Sequence, residues 1–173
     1  MSILIVAGMP GAGKEEFLDV ARGKGMPFLR MGDVVREFHA ASGTSVSVGE
    51  FAGSERAAHG ANIWAERSVE RMEGGTFLVD GCRSMSEVGA FRSLGGDVRV
   101  IGIHSPPGQR FDRLVKRGRA DAPRNREEFE ERDRRELSWG IGDVLALSDL
   151  MISNASTLES FHMVSDDVLE GLR

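Results

Sequence analysis

Cysteine is almost absent: Cys82 is the only one among 173 residues. A single thiol excludes an intramolecular disulfide and any cysteine-based zinc cluster. The four histidines, His39, His59, His104 and His162, are scattered without metal-ligand spacing. A basic excess is also missing, since 22 lysines and arginines face 27 acids, for a net charge of -5. That balance argues against a general nucleic-acid binder, although the arginine-rich stretch from Arg110 to Arg135 suits a small anionic ligand. Long apolar runs are lacking too. The run Ile3-Leu4-Ile5-Val6-Ala7 is too short for the hydrophobic part of a signal peptide and leads into glycines instead of a cleavage site. Nothing approaches the roughly 20 apolar residues needed to cross a bilayer. These absences predict a cytoplasmic chain with no membrane or nucleic-acid partner, and they leave the oligomeric state open.

What is present is ordinary for a globular protein, with 40% hydrophobic and 28% charged residues, and the length fits one domain spanning residues 1–173. Ile3–Ala7 is an unbroken apolar run ended by glycine, the pattern of a strand buried on both faces. Similar runs occur at Pro27–Leu29, Thr76–Asp80, Val98–Ile103 and Leu150–Ile152. Helical spacing links Phe17, Leu18 and Ala21 up to Gly23. It recurs over about Gly32–Ala41, Gly49–Ala58, Ala61–Glu73, Ser84–Leu94, around Phe111–Val115, and over Arg126–Leu137, Ile141–Leu147 and Leu158–Leu172. Alternating strands and helices predict an α/β fold of three layers, a parallel five-stranded sheet with helices on both faces. Two segments exceed the simplest alternation, a helical stretch at about 32–74 and a loop at about 117–126. The loop carries Arg117, Arg119, Arg124 and Arg126 and almost nothing apolar. Both are natural acceptor-binding and lid insertions.

Gly8-Met9-Pro10-Gly11-Ala12-Gly13-Lys14 satisfies the G-x-x-x-x-G-K pattern of a phosphate-binding P-loop. Its glycines let backbone N–H groups turn inward around phosphate oxygens, and the following helix adds its positive end. Lys14 is placed to stabilise the outer phosphates as the terminal one leaves. Its setting, directly after an apolar strand and before a helix, is the one the motif requires. One position departs from the pattern. A serine or threonine normally follows the lysine and meets magnesium, whereas Glu15 stands here. Glu15 is a candidate magnesium ligand, directly or through water, or simply a first-turn acid favoured by the helix dipole.

The loop resembles that of adenylate kinases and related nucleotide kinases. Met31-Gly32-Asp33-Val34-Val35-Arg36 resembles the start of their acceptor-binding helix, which implies that Arg36 grips an acceptor phosphate. Val79-Asp80-Gly81-Cys82-Arg83 resembles their strand end with an aspartate and then an arginine, one residue closer together here. The stretch from Ser148 to Glu159 is similar to dephospho-coenzyme A kinases, in which the asparagine precedes a small-residue turn next to the adenine, and this implies that Asn154 is a nucleotide-binding residue. Nearly the full length resembles an archaeal family of predicted nucleotide kinases related to dephospho-coenzyme A kinase. Phe129–Asp133, Arg135–Gly142 and the residues around Asp80 carry that match.

The same residues make chemical sense for phosphoryl transfer, which needs positive groups to spread charge and a carboxylate to orient the accepting oxygen. Asp80 ends an apolar strand at the sheet edge where ligands of parallel sheets gather, fit to hold a magnesium-bound water or to take the acceptor's proton. Asp33 competes for the second task and is also a candidate helix N-cap. Arg36, Arg56 and Arg83 are candidates for the acceptor's anionic groups. Arg119, Arg124 and Arg132 are lid candidates, with Arg119 also expected to act in transfer. The pairs Glu128–Arg132 and Glu131–Arg135 sit at helical spacing and offer Arg132 a purely structural role. Cys82 has no histidine base in its neighbourhood and reads as a small buried filler, and Trp139 as a residue packing at a helix end. The expected activity is a kinase-like phosphotransferase using magnesium and ATP, or another nucleoside triphosphate, on a small phosphorylated acceptor. The alternative is a nucleotide-binding regulator or weak NTPase.

Overall fold

A computed structural model describes residues 2–72, 75–93, 97–119 and 122–172. The chain alternates as predicted. β1 (Ser2–Gly8) leads to α1 (Lys14–Gly23), and β2 (Phe28–Arg30) to three helices, α2 (Met31–Ser42), α3 (Val48–His59) and α4 (Ile63–Val69). β3 (Thr76–Asp80) and α5 (Met85–Ser93) follow, then β4 (Asp97–His104), α6 (Pro107–Arg117), α7 (Arg126–Ser138) and α8 (Ile141–Ala146). β5 (Leu150–Ser153) and α9 (Leu158–Gly171) complete the chain.

The five strands form one parallel sheet in the order β2-β3-β1-β4-β5. β1 lies at its centre and is buried from Ile3 onward. Side chains of a strand alternate between faces, so Ile3, Ile5 and Ala7 enter one core while Leu4 and Val6 enter the other. The first core is covered by α2, α3, α4, α5 and α8 through residues such as Val34, Phe51, Trp64, Phe91 and Val144. The second is covered by α1 and α9 through Phe17, Leu18, Phe161 and Leu169. Each fully buried aliphatic or aromatic side chain contributes about 1.5–3 kcal/mol. Both cores therefore hold β1, and with it the loop that leaves its C-terminal end, in a fixed place.

α2, α3 and α4 are tied to the sheet through the first core. Trp64 is fully buried, donates Nε1–H to the Ala52 carbonyl at 3.2 Å, and meets Phe38 and Phe51 ring to ring. α2 begins at Met31 with Arg30 as its N-cap, so Asp33 lies in the first turn and is not the cap. The N-cap reading overlooked that Arg30 still has extended backbone while Met31 is already helical. α4 stops at Val69, and Glu73, the expected helix end, lies outside the described residues, as does Leu94 at the expected end of α5. The arginine-rich loop is a short connection: Gly118 ends α6 with φ 61°, and Asn125 caps α7 by accepting from the Glu128 N–H. Residues 120 and 121 of the expected lid lie outside the described residues. Among the described residues, no helix is long and apolar enough to cross a membrane.

Candidate phosphoryl-transfer site

The loop between β1 and α1 is held by atoms distant in sequence. Gly11 and Gly13 take φ 81° and 113°, and neither position tolerates a side chain. A Cβ on Gly11 would sit 2.7 Å from the Arg110 carbonyl oxygen, and one on Gly13 2.2 Å from Asn154 Nδ2. Asn154, buried at the end of β5, donates Nδ2–H to the Ala12 carbonyl at 2.8 Å. Arg113 on α6 donates to the Asn154 carbonyl at 3.0 Å and to its Oδ1 at 3.4 Å. Arg110, also on α6 and buried, donates to the Pro10 carbonyl at 3.1 Å and forks onto both oxygens of Asp133 on α7. Met9 packs against the first core. These contacts fix the backbone of residues 9–13. Pro10 has no N–H and Ala12 donates its own to the Met9 carbonyl at 3.0 Å, so the N–H groups of Met9, Gly11 and Gly13 are the ones the loop can turn to an anion.

Lys14 opens α1 and donates Nζ–H to the Gly8 carbonyl at 2.8 Å, folded back along the loop. Burial lowers its pKa, with Asp80 pulling the other way. Asp80 ends β3, in register with Val6 of β1 and Arg30 of β2. Its Oδ1 is enclosed and has no hydrogen-bond partner among the described residues. Burial raises its carboxyl pKa, opposed by the positive charges of Lys14 and Arg30. Glu15 points its carboxylate to Arg30, whose Nη2 donates to Oε1 and, at 3.1 Å, to Oε2. Arg119, just beyond α6, approaches the same Oε2 at 3.8 Å. Lys14, Glu15, Asp80, Arg30 and Arg119 thus converge at the C-terminal edge of the sheet, where parallel sheets collect ligands.

The remaining sequence candidates stand apart from this centre or reach it indirectly. Arg36 lies back on its own helix, paired with Asp33, and both are exposed. Arg56 meets the buried Glu87 at 3.4 Å, and Glu87 accepts from the Arg83 backbone N–H at 2.8 Å. The Arg83 side chain donates to Glu136 on α7 at 2.8 Å and rests over the Trp139 ring. Trp139 caps α7 as expected for a helix end, but it is half-exposed, with Arg135 also over its ring. Arg124 is spent on Glu128, through Nε at 2.7 Å, and Arg132 lies partly buried on α7. Cys82 is buried, and that burial pushes its thiol pKa up to about 12, in keeping with a filler. Arg30, Arg110 and Arg113 were not singled out from sequence. Their partners lie 15, 100 and 41 residues away, and no local pattern announces them.

Among the described residues no cluster of three or more histidine, cysteine or acidic side chains could hold a metal by itself. Magnesium carried by a nucleotide needs only one or two protein carboxylates, because phosphates and water supply the rest. Asp80, whose enclosed Oδ1 has no partner among the described residues, fits that requirement. Glu15 offers less, since Arg30 already holds it.

A family model described as an AAA domain matches residues 4–135. A UPF0200 protein of Thermoplasma acidophilum is 45% identical over 164 residues, covering 92% of this chain and 91% of that protein. Among solved structures, a gluconokinase from Sinorhizobium meliloti aligns with TM-score 0.62 at 16% identity, over 99% of this chain and 93% of that one. Shikimate kinase from Acinetobacter baumannii, in complex with shikimate, aligns with TM-score 0.61 at 13% identity, over 99% and 92%. At such identities the likeness is one of fold, and the fold is that of P-loop kinases. With its P-loop domain and a relative this similar across nearly its whole length, the chain belongs to the archaeal UPF0200 family.

Proposed function

We propose that this protein is a phosphotransferase that moves the terminal phosphate of ATP to a small nucleotide or nucleotide-like acceptor. The acceptor is of the nucleoside monophosphate or dephospho-coenzyme A kind. The observation that carries this reading is the juxtaposition of Lys14 with Asp80, whose enclosed oxygen has no partner among the described residues. A buried polar atom left unpaired costs about 1–3 kcal/mol, which is a reason to look for a ligand there.

In this reading the backbone N–H groups of Met9, Gly11 and Gly13 bind the phosphate chain, and Lys14 leaves the Gly8 carbonyl for the outer phosphates. Asp80 would hold magnesium through water, and the ion would supply charge neutralisation. On the acceptor side, Asp33 takes the proton of the attacking hydroxyl, while Arg36 exchanges its partner Asp33 for the acceptor's anionic group. Arg83, braced by Glu136 and through Glu87 linked to Arg56, lines the same side. Arg119 closes over the phosphates from the lid connection, whereas Arg124 and Arg132 support it from outside. Asn154 acts on the nucleotide through the loop backbone it holds. Two structural neighbours are named as kinases, which agrees with the reaction class and leaves the acceptor to experiment.

The test is incubation with labelled ATP, magnesium and an acceptor panel headed by dephospho-coenzyme A and the nucleoside monophosphates. Tight ATP binding with no labelled acceptor would count against the kinase reading.

One observation favours a second reading, a nucleotide-binding regulator or slow NTPase: Glu15 replaces the magnesium-binding hydroxyl and is held by Arg30. Glu15→Ser separates the two. A large gain in magnesium-dependent turnover supports an attenuated natural site, and a loss assigns Glu15 a working role.

A further inference from the structure

Arg30 belongs to no motif, yet it occupies the middle of the site. It ends β2, caps α2, and lies opposite Asp80 across the β2–β3 ladder. Its guanidinium rests 4.9 Å from the Phe28 ring centroid, and its side chain is 28% exposed, so it is held in place but still reachable. Its hydrogen bonds among the described residues use Nη2 alone, both to Glu15. A guanidinium has five N–H donors in a planar fork, which leaves Nη1 and Nε for an incoming anion.

Glu15 is the residue directly after the loop lysine, a position that in P-loops faces the outer phosphates. A bare carboxylate there would repel the very group the loop must bind. Arg30 and, at 3.8 Å, Arg119 surround it with positive charge. Together with Lys14 they make the mouth of the loop positive despite the acid. Arg36, by contrast, is turned onto Asp33 along its own helix and is far more exposed, at 61%.

We propose that Arg30 binds the terminal phosphate of the nucleoside triphosphate, and that Glu15 is its positioning residue. This rests on the reading of the loop as an ATP site. The hydroxyl that usually reaches magnesium is replaced by a carboxylate that aims an arginine, so the third phosphate is recognised by a guanidinium even when magnesium is removed. Charge-assisted hydrogen bonds of this kind are worth about 1.5–3 kcal/mol, or about 10–100-fold in affinity.

The experiment measures dissociation constants of ATP, ADP and AMP in EDTA and again in magnesium chloride. The proteins are wild type, R30A, R30K, E15A, E15D and the R30A/E15A double variant, each checked by thermal melting. In EDTA the wild type prefers ATP to ADP, and R30A loses that preference by about 10-fold or more while ADP and AMP change by less than about twofold. R30K keeps part of it. Simple electrostatics says that removing the Glu15 charge tightens ATP binding. Positioning says the opposite, so E15A weakens ATP, E15D restores it, and the double variant is no worse than R30A alone. An unchanged ATP preference in R30A, or equal weakening of all three nucleotides, overturns the role of Arg30. Tighter ATP binding by E15A, or additive losses in the double variant, overturns the role of Glu15. Failure of the wild type to bind ATP overturns the kinase reading as well. Wild-type binding with an indifferent R30A overturns this inference alone.

Discussion

Replacing Asn154 with alanine separates support of the loop from contact with a base. Asn154 Nδ2 donates to the Ala12 carbonyl at 2.8 Å, and Ala12 is 1% exposed. Truncation leaves that carbonyl enclosed without its donor, a loss of about 1–3 kcal/mol. Arg113 is not orphaned, because it keeps Ser105 Oγ at 2.9 Å, Gln109 Oε1 at 3.1 Å and the Asn154 backbone carbonyl at 3.0 Å. Near the middle of that range, about 2 kcal/mol lowers the melting temperature of a domain this size by about 4–8 °C. The lost bond is to loop backbone. ATP, GTP and inorganic tripolyphosphate should therefore weaken together, by about 10-fold if 1.4 kcal/mol of the loss falls on the bound conformation. Circular dichroism melting and competition against a fluorescent nucleotide measure both quantities. A base-contacting Asn154 predicts a different pattern: weaker ATP, unchanged tripolyphosphate and an unaltered melting temperature. That pattern would refute the supporting role.

Three further outcomes follow from the same contacts. Asp80→Asn should reduce phosphoryl transfer by about 10²–10³-fold while raising the melting temperature, because burial raises the Asp80 pKa and its ionised form opposes folding. The sign follows from linkage. Protonated Asp80 favours the fold at low pH, that benefit is lost as pH rises through its raised pKa, and transfer should fall off on acidification at a higher pH than an ordinary carboxylate would give. A destabilised, fully active Asn variant would contradict this. Asp133→Asn leaves the buried Arg110 uncompensated and should cost about 3–5 kcal/mol in denaturant unfolding, with the Pro10 contact of the loop disturbed. Cys82, with its thiol at about 12, should resist thiol reagents at neutral pH in the folded protein and react on unfolding. Fast labelling of the native state would contradict its burial.

Much of the fold is written in local patterns. The strand centred on Ile5 is apolar on both faces because helices cover both, and five such runs predicted five strands. Loop and lysine were legible because a P-loop is contiguous: its glycines, strand and helix all lie within Ser2–Gly23. Contacts made by tertiary closure were not legible. Arg110 reaches Pro10 across 100 residues, and nothing in α6 distinguishes it from its exposed neighbours Lys116 and Arg117. Arg30 lies just past the weak apolar run Pro27–Leu29, and only the pairing of β2 with β3 sets it opposite Asp80. The likeness that sets Asn154 among nucleotide-binding residues says nothing of its amide's partner, the Ala12 carbonyl in the loop's backbone. Arg36 illustrates the limit of analogy, since its motif is present while its guanidinium lies against Asp33.

The measurement that tests the central claim most directly is a single-turnover reaction with ATP labelled in its terminal phosphate, following where the label goes. The account predicts label in a small acceptor of the panel, with Lys14→Ala and Asp80→Asn sharply slowing the transfer while the chain stays folded. Label appearing only as inorganic phosphate, or remaining in bound ATP with every acceptor, would contradict it.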